Sequence, residues 1–183
     1  KAVTDDYPEK PLFLASLFWQ GQILVKKGEY FLAEKTLTNY LVSSQNNNKK
    51  YFKGHYSEFL QISYYTLAWL ATKREKFDEA LKLIDKSSGS YYGDPLNLKY
   101  RIYVKQRNSA LGYNTINQLI NLNPSDFEQV VRLAEYYFVV NRWAELSDLV
   151  YRKSSIKRFF NDSRMEHFLW LGVVANMNSE QWS

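Results

Sequence analysis

One pattern constrains this chain more than any other. A large–small–large face recurs in five copies, in a weaker form in the third, followed in the first four by a break and a second apolar run. It first reads Leu17, Gln20-Gly21 and Leu24, then Gly28-Glu29-Tyr30, then Ala33 and Leu37. These residues fall three and four apart, as one buried helix face requires. Gly28 interrupts the run before a second helical pattern starts near Tyr30, so the unit reads as a helical hairpin. The order returns at Tyr64, Leu67-Ala68 and Ala71, then Lys76-Phe77, Ala80 and Ile84. A third copy reads Leu96, Lys99-Tyr100, Tyr103, Gly112, Ile116 and Pro124. A fourth reads Val130, Leu133-Ala134, Tyr137, Trp143, Leu146 and Val150, and a fifth opens with Phe168, Leu171-Gly172 and Ala175. The third and fourth copies are 34 residues apart, from Leu96 to Val130, and a period of that length marks a repeat architecture.

Composition narrows the chemistry. Apolar residues make up 45% of the 183, enough to exclude general disorder and to bury a core without disulfides or metal. Seven Gly and four Pro are too few for a fold of many tight β-turns. There is no cysteine, which removes disulfides, thiolate catalysis and cysteine-based metal sites but leaves the cellular compartment open. Leu12 to Val25, the most apolar window, is 14 residues long and carries Gln20 and Gln22, too short and too polar to span a bilayer. The net charge of +5 is a mild excess expected of mixed charges on solvated helix faces, and it argues weakly for nucleic acid. Aromatic residues reach 17%, with 15 Tyr and 11 Phe, and suit the filling of wide gaps between helices.

The order of residues resembles the tetratricopeptide repeat: a large-x2-Leu-small-x2-large first helix, an Ala-x3-large second helix and a closing Pro. Gly21, Ala68, Ala134 and Gly172 stand where the family brings two helices into close contact, and Tyr30, Phe77 and Trp143 stand at its turn aromatic. The resemblance runs over roughly residues 14–182 and departs in places. Gln20 replaces Leu in the first copy, and the third has Lys99 for that Leu and Tyr100 for the small residue. The first and second copies lie 47 residues apart, Leu17 to Tyr64, with the extra residues in the polar stretch Ser43 to Lys50, a loop or a lengthened second helix. The resemblance implies an all-α fold, a right-handed superhelix of about four and a half antiparallel helical hairpins. We expect one repeat domain over 1–183: an extended lead-in 1–12, hairpins near 14–45, 55–88, 94–123 and 126–155, and a final helix near 163–178. Asp94 before Pro95, and Ser125 with Glu128, are expected to cap helix starts. The fifth copy has an apolar first helix, broadened by Trp170, Val173, Val174 and Met177, with Gln181 and Trp182 where its partner would begin. The chain is therefore expected to be a piece of a longer solenoid, with self-association through this helix as one way of covering it.

A search for chemistry finds little, and no catalytic residue, metal ligand set or cofactor is expected. Gly89 and Gly93 have no Lys-Ser or Lys-Thr after them, so no phosphate loop is present. His55 and His167 each lack a second ligand at helical spacing. Asp78-Glu79 opens a helix, where carboxylates offset the dipole. The cluster Arg152 to Phe160 mixes cations with rings and could meet an acidic partner, but its cations also suit the last turn of a helix.

The resemblance implies a groove lined by the first helix of each hairpin. Carried residue by residue, its ligand-facing positions are Phe18, Gln22 and Val25; Tyr65, Trp69 and Lys73; Asn97, Arg101 and Lys105; and Val131, Glu135 and Phe138. Aromatic anchors with a few cations suit a peptide or a helix laid in the groove. The carboxylate clamp of chaperone-tail binders is absent, because its positions hold Phe18, Gln22, Thr66, Asp94 and Leu98. The expected function is non-catalytic: a scaffold or adaptor binding another protein. The rival readings are an RNA-binding helical array using Arg101, Lys105 and the 152–158 cluster, and a regulatory domain of a larger enzyme.

Overall fold

The computed structural model describes residues 11–46, 56–87 and 95–179. They form nine α-helices and no strand: α1 (Pro11–Lys26), α2 (Tyr30–Asn46), α3 (Tyr56–Lys73), α4 (Phe77–Lys86), α5 (Pro95–Lys105), α6 (Ser109–Leu122), α7 (Phe127–Val139), α8 (Trp143–Ser154) and α9 (Met165–Asn178), with a 3-10 turn at Lys157–Phe159 before α9. The chain divides into two compact units, Lys1–Leu98 and Lys99–Ser183, with the division inside α5.

Four short turns pair the helices into α1/α2, α3/α4, α5/α6 and α7/α8, and all four share one geometry. Each holds one residue in the left-handed region: Gly28 (φ 78), Glu75 (φ 60), Arg107 (φ 55) and Asn141 (φ 58). The next residue donates its N–H to a carbonyl five back, as Glu29 to Leu24, Lys76 to Ala71, Asn108 to Tyr103 and Arg142 to Tyr137. This is the Schellman closure, which satisfies carbonyls at the end of a helix. Sequence shows it plainly at Gly28 and more weakly at Asn141, since Asn is enriched at positive φ whereas Glu and Arg seldom take it.

In the first unit, α1 and α2 close on a core of Leu14, Leu17, Phe18, Ala33, Leu37 and Tyr40, joined by Leu67 and Leu70 of α3. A Cβ built on Gly21 would lie 2.5 Å from Leu37 Cδ2 and 2.6 Å from its Cγ, so only glycine permits this approach. Helix α3 buries three hydroxyls, and each donates to the carbonyl four residues back: Ser63 to Phe59, Thr66 to Ile62 and Thr72 to Ala68. These bonds offset the cost of burying a polar group. Arg74 pairs with Glu34, tying the α3 turn to α2.

In the second unit, α7 packs against α6, α8 and α9, and its Val130, Leu133, Ala134 and Tyr137 are buried. A Cβ on Gly172 of α9 would lie 2.6 Å from Val150 Cγ1, so α9 closes on α8 as α1 does on α2. Tyr100, at a position where the repeat has a small residue, is partly buried, and burial followed by the Glu135 charge pushes its hydroxyl pKa up.

Two local expectations are corrected. Pro11 and Leu12, read as extended lead-in, open α1, because proline's missing N–H is harmless in a first turn. The α7 cap is Asp126, not Ser125: Asp126 Oδ1 accepts from Glu128 N–H at 3.0 Å. The Glu128 carboxylate instead meets Arg132 and Arg164. Of the two readings of the polar stretch, the lengthened second helix holds as far as Asn46; its remainder, like the Asp94 cap and His55, lies outside the described residues.

Candidate functional site

Helices α1 and α3 run side by side in the same direction. Phe18 stacks on Phe59 with ring centroids 4.3 Å apart, and one turn further along Gln22 donates its amide to Thr66 Oγ1 at 3.2 Å. Between the helices lies a cleft of about 540 Å³, lined by Phe18, Trp19, Gln22, Ile23, Val25 and Lys26 from α1 and by Glu58, Phe59, Ile62, Tyr65, Thr66 and Trp69 from α3. A volume of that size matches pockets that accept small ligands or a few peptide side chains.

The cleft has an apolar floor and an apolar lip. Phe18 is only 1% exposed and supports the floor, whereas Trp19 and Ile23 are 55% and 52% exposed. Trp19 meets Phe59 edge-on at 5.9 Å, and Trp69 meets Tyr30 edge-on at 5.5 Å, so both indoles are held by neighbouring rings. The Gln22–Thr66 pair is the neutral polar bridge across the wall, which also carries the charged Lys26 and Glu58, and Thr66 also donates to Ile62 O at 2.8 Å. At one end Lys73 Nζ lies 5.1 Å from the Trp69 ring centre, within cation–π range.

Five of the groove residues expected from sequence, Phe18, Gln22, Val25, Tyr65 and Trp69, line this cleft, and Lys73 stands on Trp69 at its edge. Two of the expected residues are not accessible. Phe18 is enclosed by Trp19, Tyr40 and Phe59, and Val131 is 4% exposed because α7 is covered by three helices. Asn97 is half-buried on α5, and Arg101 and Lys105 are exposed on that helix. In the second unit Glu135 is exposed with His167 Nε2 3.2 Å from its Oε1, and Phe138 packs edge-on against Trp143 at 5.6 Å and beside Trp170 at 5.9 Å.

Sequence reasoning missed Trp19, Ile23, Lys26, Glu58, Phe59 and Ile62. A signal was present in α1, which is apolar around most of its circumference although only one face can enter the core. Trp19 and Ile23, four apart, mark the surplus face.

Both arginines of the 152–160 cluster make local contacts. Arg152 pairs with Asp148, and Arg158 donates to Pro124 O at 3.3 Å and covers the Phe159 ring. Phe159 itself is buried and stacked on Phe127 at 4.5 Å. Nearby, the Arg164 guanidinium holds the Asp162 carboxyl down to about 2. Around Arg142, Tyr137 O–H donates to Tyr113 Oη at 3.5 Å; burial pushes the Tyr137 hydroxyl up, and accepting that bond lowers Tyr113. Among the described residues no helix is long and apolar enough to cross a membrane.

No protein-family model matches the chain, and no curated protein matches it. By structure it is similar to a tetratricopeptide repeat protein from Parabacteroides merdae ATCC 43184, with TM-score 0.63 and 14% sequence identity, over 97% of this chain and 67% of that one. At that identity the likeness bears on fold alone. Taken with the four matching turns and the close contacts at Gly21 and Gly172, it establishes the architecture. The chain has the tetratricopeptide-repeat fold, an all-α array of helical hairpins.

Proposed function

We propose that this chain is a non-catalytic scaffold or adaptor that holds another protein in the cleft between α1 and α3. The observation that carries the reading is the exposed lip of Trp19 and Ile23 above an apolar floor. Large apolar side chains left in water beside a formed cleft mark an interaction site rather than a core. The ring-held indoles suit the role of anchors, since interface energy concentrates in a few preorganised aromatic residues. Arg101, Lys105, Glu135 and Phe138 are proposed as additional contacts on the first helices of the later hairpins. A second surface supports self-association or docking of a further helix through α9, where Leu169, Trp170, Val173 and Met177 are all exposed.

The test is recovery of partners from native extract with the wild-type chain, with Trp19→Ala/Ile23→Ser and with Trp69→Ala, the fold being followed by circular dichroism. Loss of the same protein from the cleft variants, with helicity intact, supports the reading. Equal recovery on all three refutes the cleft. A bound nucleic acid whose capture falls steeply with salt would favour the RNA-binding alternative instead.

A further inference from the structure

The cleft between α1 and α3 is not electrically uniform. The two helices run in parallel, so their C-terminal ends lie together, and each ends in a lysine, Lys26 and Lys73. Both are exposed. Among the described residues no carboxylate pairs with either, although nearby Arg74 and Lys76 are matched to Glu34 and Glu79. The position recurs: a lysine stands two residues before the left-handed turn residue in three successive hairpins, at Lys26, Lys73 and Lys105. Offsetting the helix dipole explains a cation in a last turn. Because α1 and α3 also wall the cleft, the same two cations stand together at one end of it, with Lys26 in its wall and Lys73 held over Trp69, while Glu58, the carboxylate of the lining, stands in the first turn of α3 at the other end.

We infer that the cleft takes an acidic linear segment, an extended peptide with one bulky apolar side chain and one or two carboxylates beside it. This rests on the docking role proposed above and names the partner's chemistry. The apolar side chain fills the space under Trp19, Ile23 and Phe59, and the carboxylates meet Lys26 and Lys73. Trp19 and Lys26 are seven residues apart on one helix, roughly 10 Å along its axis. An extended chain covers that distance in about three residues. The motif is therefore a large apolar residue with Asp or Glu about three positions away.

The test is selection from a displayed library of random twelve-residue peptides. Three proteins are used: the wild-type chain, Lys26→Glu/Lys73→Glu and Trp19→Ala/Ile23→Ser, all checked for helicity. The wild type should enrich peptides with the apolar–acidic spacing. A synthetic peptide of that sequence should lose about five- to tenfold in affinity on lysine reversal and all measurable binding on the lip variant. Replacing its carboxylates with lysine should restore binding to the lysine-reversed protein. Enriched peptides that are neutral or basic, or indifferent to lysine reversal, would overturn the acidic partner while leaving the cleft as a docking site. If no enriched peptide depends on Trp19 and Ile23, both fall.

Discussion

Gly21→Ala tests the packing that defines the hairpin, and its sign can be worked from the structure. The new Cβ would stand 2.5 Å from Leu37 Cδ2 and 2.6 Å from Leu37 Cγ, whereas carbon atoms rest at about 3.5–4.0 Å. Something must move by about an ångström. Leu37 is fully buried, and its branch point, not only its tip, is in the way. Overpacking of this kind costs about 1–3 kcal/mol. Against it stands the gain of replacing glycine by alanine in a helix, about 1 kcal/mol. Gly112 supplies the control. It is buried in α6, but a Cβ there meets nothing within 4 Å, so Gly112→Ala should keep the helix gain and stabilise by about 0.5–1 kcal/mol. The difference between the two variants cancels the propensity and isolates the contact, at about 1–3 kcal/mol. Urea denaturation of both variants measures it. A third background sharpens the test: once Leu37→Ala has removed the obstructing atoms, Gly21→Ala should change sign and stabilise. If Gly21→Ala stabilises as much as Gly112→Ala, or is indifferent to Leu37, then α1 and α2 do not meet where the structure puts them.

Three other perturbations follow from the structure. Glu75 holds φ 60 in the turn between α3 and α4, so Glu75→Gly should relieve left-handed strain and raise stability by about 1 kcal/mol in a denaturation experiment. Asp162 is held at about 2 against an ordinary 3.8 by Arg164. Because the folded value is depressed, its contribution is complete above about pH 4 and lost as pH falls towards 2. Carboxyl NMR should show that low midpoint, and Arg164→Gln should return it towards 3.8 and remove the acid sensitivity arising from this group. Trp69→Ala should weaken partner binding by about 2 kcal/mol, measured by calorimetry on the recovered partner; unchanged affinity would remove Trp69 from the working surface.

Much of the fold was legible because the small residues are fixed by sterics. Gly21 and Gly172 stand where a single methyl would collide, and residues so constrained keep their place in a repeat even when Gln20 or Tyr100 departs from it. The helix starts were less legible. Ser125 and Asp126 are adjacent and both can cap, so backbone direction chooses between them, and it chose Asp126. At the site, the repeat register identified the side of α1 and α3 that lines the cleft but could not say what covers it. Phe18 is taken out of reach by Phe59 stacked upon it, and Val131 by the helices around α7. Trp19 and Ile23 escaped because one position along a helix is a turn of about 100°. A register carried from a family marks a face only that coarsely.

The most direct measurement places a photo-crosslinking side chain at Ile23, in the lip of the cleft, and at Val42, an exposed aliphatic position on α2 that does not line it. Irradiated in the native cell, the Ile23 chain is expected to trap a specific protein, the Val42 chain is not, and excess wild-type chain but not the Trp19→Ala/Ile23→Ser variant should compete the adduct away. Equal trapping at both positions, or competition by the variant as effective as by the wild type, would contradict a docking site between α1 and α3.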